Sequence, residues 1–230
     1  MIGFMCKGAL VSLEVFFLTL LFALPLALPL ALGRMSKHWM PRNLINLYLL
    51  VMRGTPLILQ LIFIYFAPMY LYMFLEKTLS PFMYTEGFLL VCKTILSYDR
   101  FVAVVIAFVL NYAAYFAEIY RGGIEAIPKG QYEAAEVLGF TKTQCFYRIV
   151  LPQVIKRILP ASGNEVITLV KDTALAQTIG VAELFHAAQN AASREFSTTP
   201  IFIAGVFYFV MNWIVSFAFS RGEKKLSYYS

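Results

Sequence analysis

Charged residues are scarce in this sequence. They make up 14% of its 230 residues, whereas hydrophobic residues make up 60%. A soluble domain carries about a quarter charged residues, so this composition excludes an ordinary soluble globular protein. The 3 cysteines, Cys6, Cys92 and Cys145, are too few for a disulfide scaffold, and their separate positions predict free thiols. His38 and His186 lie near no cysteine or carboxylate cluster, so neither a metal site nor a catalytic nucleophile is predicted.

A phosphate-binding P-loop is also missing, because no glycine is followed by Lys-Ser or Lys-Thr. The chain is therefore not expected to be an enzyme that hydrolyses ATP by itself. Its net charge of +6 first suggests a nucleic-acid partner. However, the Lys and Arg residues collect in loops between apolar runs, as in membrane proteins. No nucleic-acid partner is predicted.

Long apolar runs dominate what is present. They predict an all-α, multi-spanning membrane bundle in which the whole chain, 1–230, forms a single transmembrane domain. The predicted transmembrane helices are 9–32, 44–75, 101–119, 155–190 and 200–219. The fourth is interrupted by Pro160, Gly163 and Gly180, which is typical of a broken helix that lines a cavity. The role of the stretch 69–100 is left open.

The distribution of Lys and Arg predicts the topology. Twelve of the 19 lie in the loop after the first run, in the polar loop 120–157 and in the C-terminal tail, and five lie on the opposite side. Cytoplasmic loops carry the excess of positive charge. The N-terminus is therefore predicted outside and the C-terminus in the cytoplasm, which agrees with five spans.

The polar loop 120–157 contains two stretches that each predict a short helix. The Ala-rich stretch 133–138 predicts a short helix ended by Gly139, and 141–150 predicts a second helix closed by Pro152. A loop of this length exceeds what a connector needs. From the residues alone, two readings stay open: a docking surface and a solvated basic loop.

The spacing within this loop resembles a known signature. Glu-Ala-Ala, three residues, Gly, nine residues, Ile, one residue and Leu-Pro match, position for position, the EAA signature of ABC importer permeases. The residues that carry it are Glu133, Ala134, Ala135, Gly139, Ile149, Leu151 and Pro152. Segments 52–56, 115–122, 163–165 and 171–173 are similar to the polar amino acid subfamily, the histidine, glutamine, glutamate and arginine type. The sequence departs from it at 173–175, where a Ser is frequent, and in 69–100.

The resemblance implies a multi-pass permease of the plasma (inner) membrane that moves a polar amino acid inward. It implies pairing with a second copy or a homologue, and delivery of the amino acid by an extracytoplasmic binding protein. The EAA loop would dock onto a dimer of cytoplasmic ABC ATPase subunits. ATP and magnesium would then belong to that ATPase, with no cofactor in this chain.

Intramembrane polar residues are the candidates for the substrate path. At 1.5 Å per residue, Arg53, Asn111 and Glu165 fall about 15 Å into their predicted helices, near the middle of the membrane. A zwitterionic amino acid needs an anion for its ammonium group and a donor for its carboxylate. We assign Glu165, assisted by Asn164, to the ammonium and Arg53 to the carboxylate. Asn111 and Tyr115 would line the side-chain pocket. The alternative is an Arg53–Glu165 ion pair that only fixes helix packing.

Three further charges are candidates for gating. From the rise per residue, Glu118 is predicted to lie near the cytoplasmic face of the membrane, and Lys171 and Asp172 near the outer face. The interrupted segment 158–190 is predicted to form the gate itself, since a broken helix can line a water-filled path.

Two other transport functions are kept as alternatives. A permease for another small solute, such as methionine or an osmolyte, disagrees with segments 52–56 and 163–165. A secondary transporter usually needs ten or more spans with an internal repeat, and neither is found. A membrane enzyme would need a clustered nucleophile or metal set that the sequence lacks.

Overall fold

The computed structural model describes residues 2–79 and 99–226, and this part of the chain is helical without strands. Cys92 and residues 80–98 of the open stretch 69–100 lie outside it. The helices are α1 (Ile2–Arg34), α2 (Trp39–Gly54), α3 (Leu57–Leu79), α4 (Arg100–Glu125), α5 (Lys129–Val137), α6 (Lys142–Cys145), α7 (Leu151–Asp172), α8 (Leu184–Glu195) and α9 (Thr199–Leu226). A π turn (Phe146–Val150) joins α6 to α7, and a 3-10 helix (Thr173–Ile179) follows α7.

Four described helices, α1, α3, α4 and α9, are long and apolar enough to cross a membrane. The predicted all-α membrane bundle is therefore confirmed. The predicted span 44–75 is two helices, because Pro56 lacks a backbone N–H and holds Thr55 extended (φ −121°, ψ 148°). The predicted broken span 155–190 overlaps α7, which begins earlier, at Leu151, and whose 22 residues are long enough to cross but include many polar side chains.

Helix α4 lies at the centre of the bundle and packs on α1, α3 and α7. Its buried face combines alanines with the large rings of Phe108, Tyr112 and Phe116, and α1 presents alanines toward it. Small residues let membrane helices approach closely, and the buried rings add packing contacts between the helices. The fully buried alanines are Ala23, Ala27 and Ala31 in α1 and Ala103, Ala107, Ala113 and Ala114 in α4.

Pro160 and Gly163 do not break the fourth segment, contrary to the expectation that they weaken it. Helix α7 continues through both. Gly163 is needed for packing, because a Cβ there would lie 2.9 Å from the ring of Phe219 in α9. The chain leaves the α-helix at Thr173 and turns at Gly180, whose φ of 79° favours glycine. The α-helix is therefore interrupted at Thr173, well after Pro160, the first predicted weak point.

Candidate coupling surface and substrate path

The connection between α4 and α7 is shorter than the predicted loop 120–157. Because α4 continues to Glu125 and α7 begins at Leu151, the connection covers 126–150. Its first helix, α5, begins at Lys129, earlier than predicted, and Leu138 caps its end. Gly139 follows with a φ of 76°, the left-handed conformation expected of a glycine that terminates a helix.

The inner side of this connection is a small apolar core. Ala135 of α5 is buried against Cys145 and Val150, with Ile127 and Val154 in the same cluster. The sequence interpretation placed Ala134 and Ala135 together at a contact with the ATPase. In the structure only Ala134 is exposed, whereas Ala135 faces inward. The side chain of Ala135 therefore holds α5 in place and does not present a contact surface.

The outer side carries exposed apolar groups. Val137 is 87% exposed and Leu138 73% exposed, and the rings of Tyr132 and Tyr147 are exposed as well. We call these four residues the coupling surface. Partial burial raises the pKa of the Tyr132 hydroxyl above its ordinary value. Large apolar side chains exposed on a polar loop are typical of an interaction site. Glu133 and Gly139 are exposed beside them.

The second predicted helix of the loop does not end at Pro152. Helix α6 begins with a capping box in which the Thr141 hydroxyl accepts from the backbone of Gln144 and the Gln144 side chain accepts from the backbone of Thr141. It then passes through the π turn directly into α7, and Pro152 lies in the first turn of α7. Pro152 has no N–H to donate, so it adds no bond to the helix across this widened turn. Ile149 and Leu151 are partly buried on this path.

An ion-pair cluster joins α1, α2 and α4 around Glu118. Arg34 contacts one carboxylate oxygen, and the other lies 3.4 Å from Arg53 Nη1 and 3.0 Å from Arg121 Nη2. The Arg53 guanidinium also lies 5.6 Å above the ring of Tyr115. The structure therefore brings together three predicted residues, Arg53, Tyr115 and Glu118. The sequence did not predict that Arg34 and Arg121 share this carboxylate.

Asn111 lies at the break between α2 and α3. Its Nδ2 donates to the carbonyl of Met52 and to Oε1 of Gln60, each at 3.0 Å. Gln60 in turn donates to Met52 O at 2.9 Å and to the hydroxyl of Thr55 at 2.8 Å. These bonds satisfy carbonyl groups that the break leaves without a helical donor. The sequence interpretation missed Gln60, although an amide in an apolar run just after Pro56 was a usable signal.

Glu165 is half-buried, and no ion pair in the described part of the chain joins it to Arg53. Arg53 pairs directly with Glu118, and its charge also acts on Glu165 through space. Asp172 accepts a hydrogen bond of 2.7 Å from the hydroxyl of Tyr112. Asn164 and Lys171 are exposed.

Glu183 was not predicted and is the most buried carboxylate of the described residues, with 0% exposure. It accepts from the backbone N–H groups of Phe185 (2.7 Å) and His186 (2.6 Å) and from the Tyr208 hydroxyl (2.8 Å). Ser12 donates to it from α1 at 3.4 Å. This carboxylate therefore ties α1, α8 and α9 together.

A bundle of apolar helices joined by a structured polar loop defines a multi-pass membrane protein. Comparison with known proteins specifies the family. Residues 23–228 match the family described as binding-protein-dependent transport system inner membrane component. The chain belongs to this family, which confirms the predicted importer permease.

Curated relatives cover nearly the whole chain. A putative glutamine transport system permease protein of Rickettsia conorii is 34% identical over 98% of this chain and 94% of its own length. An arginine transport system permease protein of Bacillus subtilis is 35% identical over 98% of this chain and 93% of its own. An L-cystine transport system permease protein of Bacillus subtilis is 36% identical over 93% of this chain and 80% of its own.

Solved structures agree with these relatives. A chain from the crystal structure of an amino acid ABC transporter with histidines superposes with a TM-score of 0.79 at 32% identity, covering 97% of this chain and 94% of the other. An inward-facing methionine ABC transporter superposes with a TM-score of 0.68 at 16% identity, which shows the shared fold. This chain is thus a multi-pass component of the inner membrane, and its homologues are amino acid permeases.

Proposed function

We propose that this chain is the transmembrane subunit of an ABC importer that carries a polar amino acid into the cell. Its relatives carry amino acids, and none of its segments provides a P-loop. A dimer of cytoplasmic ATPase subunits therefore supplies the energy and holds ATP and magnesium. A second copy or a homologue completes the path, and an extracytoplasmic binding protein delivers the amino acid. The N-terminus lies outside and the C-terminus in the cytoplasm.

The coupling surface is the observation that carries this proposal. Val137 and Leu138 expose most of their apolar area at the end of α5, and none of the described residues of this chain covers them. Underneath, Ala135 and Val150 are buried, so the surface is held on a packed base. A rigid apolar patch surrounded by polar residues is typical of a protein interface. The ATPase is the partner that the family description and the loop motif favour.

The test is ATPase activity of the reconstituted complex in the presence of the loaded binding protein. Leu138→Asp places a charge on the coupling surface, and we expect it to lower stimulated ATPase activity by about tenfold or more, because burying an unpaired carboxylate costs more than about 1.4 kcal/mol. Thr143→Asp is the matched control, since it adds the same charge to an exposed position of α6 outside this surface. Equal activity of the two variants would refute the docking role.

For the substrate path, we propose the clamp in which Glu165, with Asn164, binds the ammonium group and Arg53 binds the carboxylate. Glu165 is half-buried and makes no direct salt bridge within the described residues, and the charge of Arg53 acts on it through space, so the two groups are placed to bind the two ends of one zwitterion. The Arg53 side chain is 41% exposed and only 3.4 Å from Glu118, so substrate binding requires Arg53 to exchange a carboxylate of the protein for that of the ligand. Asn111 and Tyr115 line the path beside Arg53.

Glu118, Lys171 and Asp172 are proposed as the gate residues. Glu118 holds Arg34 and Arg53 at the ends of two helices, so release of Arg53 loosens α2 from α4. At the other end of α7, Asp172 is bonded to Tyr112 of α4, which makes it a contact that opening must break. The segment 158–190, which includes Lys171 and Asp172, is proposed to line the path.

Glu165→Gln tests the clamp, because it removes the charge and keeps the size of the side chain. We expect lost or altered amino acid uptake in proteoliposomes whose complexes assemble normally. Glu195→Gln in α8 is the matched control, since Glu195 is exposed. Unchanged uptake and unchanged cargo preference in Glu165→Gln would eliminate the clamp. Loss of assembly alone would indicate a packing role.

A further inference from the structure

The π turn between α6 and α7 has a local cause in the sequence. The N–H of Leu151 donates to the carbonyl of Phe146, five residues earlier, instead of four as in an α-helix. A single π turn of this kind accommodates one extra residue inside an otherwise continuous helix, and such turns are frequent at functional sites. The segments on either side, α6 and α7, keep their own regular geometry.

Pro152 explains why the helix widens here. Inside a regular α-helix its ring would clash with the carbonyl of Arg148, four residues earlier, and it would offer no N–H to that carbonyl. Widening the preceding turn removes the clash and makes Pro152 a first-turn residue of α7. The position of the π turn, which ends two residues before Pro152, agrees with this cause.

Gln153 connects the π turn to the coupling helix. Its side-chain Nε2 donates to the carbonyl of Ile149 at 2.9 Å, inside the π turn. The same amide lies 3.3 Å from Oε1 of Gln131 in α5. One side chain of α7 therefore contacts both the widened turn and the helix that presents Val137 and Leu138.

We propose that Pro152 and Gln153 are positioning residues that set the rotational orientation of the coupling surface relative to α7. This rests on the docking role proposed above for that surface. Each residue of an α-helix adds about 100° of rotation and about 1.5 Å of length. If the π turn reverted to α-helical geometry, its extra residue would rotate the segment before it by about that angle relative to α7. A coupling surface displaced by that rotation no longer faces the same direction, even though each of its residues is unchanged.

The first experiment measures orientation. In a background with Cys6 and Cys92 replaced by serine and the buried Cys145 replaced by alanine, Glu133→Cys on α5 and Ser220→Cys on α9 carry spin labels. We expect Pro152→Ala to shift the label distance by several ångströms, up to about 10 Å, because a rotation of about 100° moves groups near the helix surface by that much. If Pro152→Ala leaves the distance unchanged, packing and not Pro152 sets the turn, and the proposal fails.

The second experiment tests rescue in the complete complex. Pro152→Ala should lower binding-protein-stimulated ATPase activity about fivefold or more. Deleting Arg148 in the Pro152→Ala chain removes the one residue that the π turn accommodates. The coupling surface then returns to its original rotation relative to α7, so we expect both the label distance and the activity to recover. Arg148→Ala in the unaltered chain controls for loss of the side chain. Failure of the deletion to restore either quantity overturns the proposal.

A third variant covers the case in which Pro152→Ala does not assemble. Gln153→Glu keeps the size of the side chain but removes the donor to Ile149 and Gln131, so we expect a smaller label shift and a two- to threefold loss of stimulation. A wild-type distance distribution in Gln153→Glu contradicts its role. The docking role is judged separately by Leu138→Asp, because Leu138 is exposed outside the π turn and we expect this variant to keep the wild-type label distance.

Discussion

The buried carboxylate of Glu183 gives the strongest prediction for stability. Glu183→Ala removes four hydrogen bonds at once, two to the first N–H groups of α8 and two to hydroxyls of Ser12 and Tyr208. Loss of a helix N-cap costs about 1 kcal/mol. A buried hydroxyl left without a hydrogen-bond partner lowers the free energy of unfolding by about 1–3 kcal/mol. Together with the space left by the side chain, we expect a loss of about 3–5 kcal/mol.

The assay is thermal unfolding of the purified protein in detergent. A chain of this size loses about 2–4 °C in Tm for each kcal/mol, so Glu183→Ala should unfold about 10 °C lower. Tyr208→Phe should lose about 1–2 kcal/mol, and its effect should largely disappear in the Glu183→Ala chain, because the two changes remove the same bond. This non-additivity separates a specific contact from a general loss of packing.

Glu195→Ala is the matched control for this prediction. It removes the same charged group from the same helix, but Glu195 is exposed at the end of α8. We expect its Tm to stay within about 2 °C of the wild type, because exposed substitutions change stability by about 0.5 kcal/mol or less. If Glu183→Ala and Glu195→Ala unfold at the same temperature, Glu183 does not hold α1, α8 and α9 together.

Three further predictions follow from close contacts and backbone geometry. Gly8→Ala should lower the Tm by several degrees, because its Cβ would lie 2.9 Å from backbone atoms that cannot move aside, whereas Gly3→Ala, with open space around it, should not. Gly139→Ala should speed hydrogen exchange of the α5 amides about fivefold, since a φ of 76° strains alanine by about 1 kcal/mol. Asn111→Leu should lower the Tm by removing the donor to Gln60, and an unchanged Tm would favour a role in the substrate path alone.

Local sequence chemistry was enough to predict the class of the protein. Continuous apolar runs must be helical in a membrane, because every backbone group there needs an internal partner. Gly139 was identified as a helix terminator because the left-handed conformation selects glycine. The spacing from Glu133 to Pro152 indicated the family, because this signature depends only on residue types and their separation along the chain.

The predictions from the sequence were wrong at residues whose role depends on the groups that surround them in the folded protein. Pro152 was expected to end a helix, but it widens the preceding turn and begins the next helix. Gly163 was expected to weaken α7, but a neighbouring ring of α9 occupies the space where a side chain would stand. Ala135 was expected to face a partner, but the phase of α5 turns it inward.

The sequence by itself determined what depends on near neighbours along the chain: helical spans, helix ends and the signature of the loop. Only the tertiary structure decided which distant groups meet. Ser12 reaches Glu183 across 171 positions, and Arg34 and Arg53 share Glu118 although they belong to different helices. Hydrophobic periodicity assigns a residue to a helix face but does not specify its partner, because several helices present similar faces. Which charges pair and which side chains are buried depends on how those helix faces pack against one another, and this packing is seen only in the folded structure.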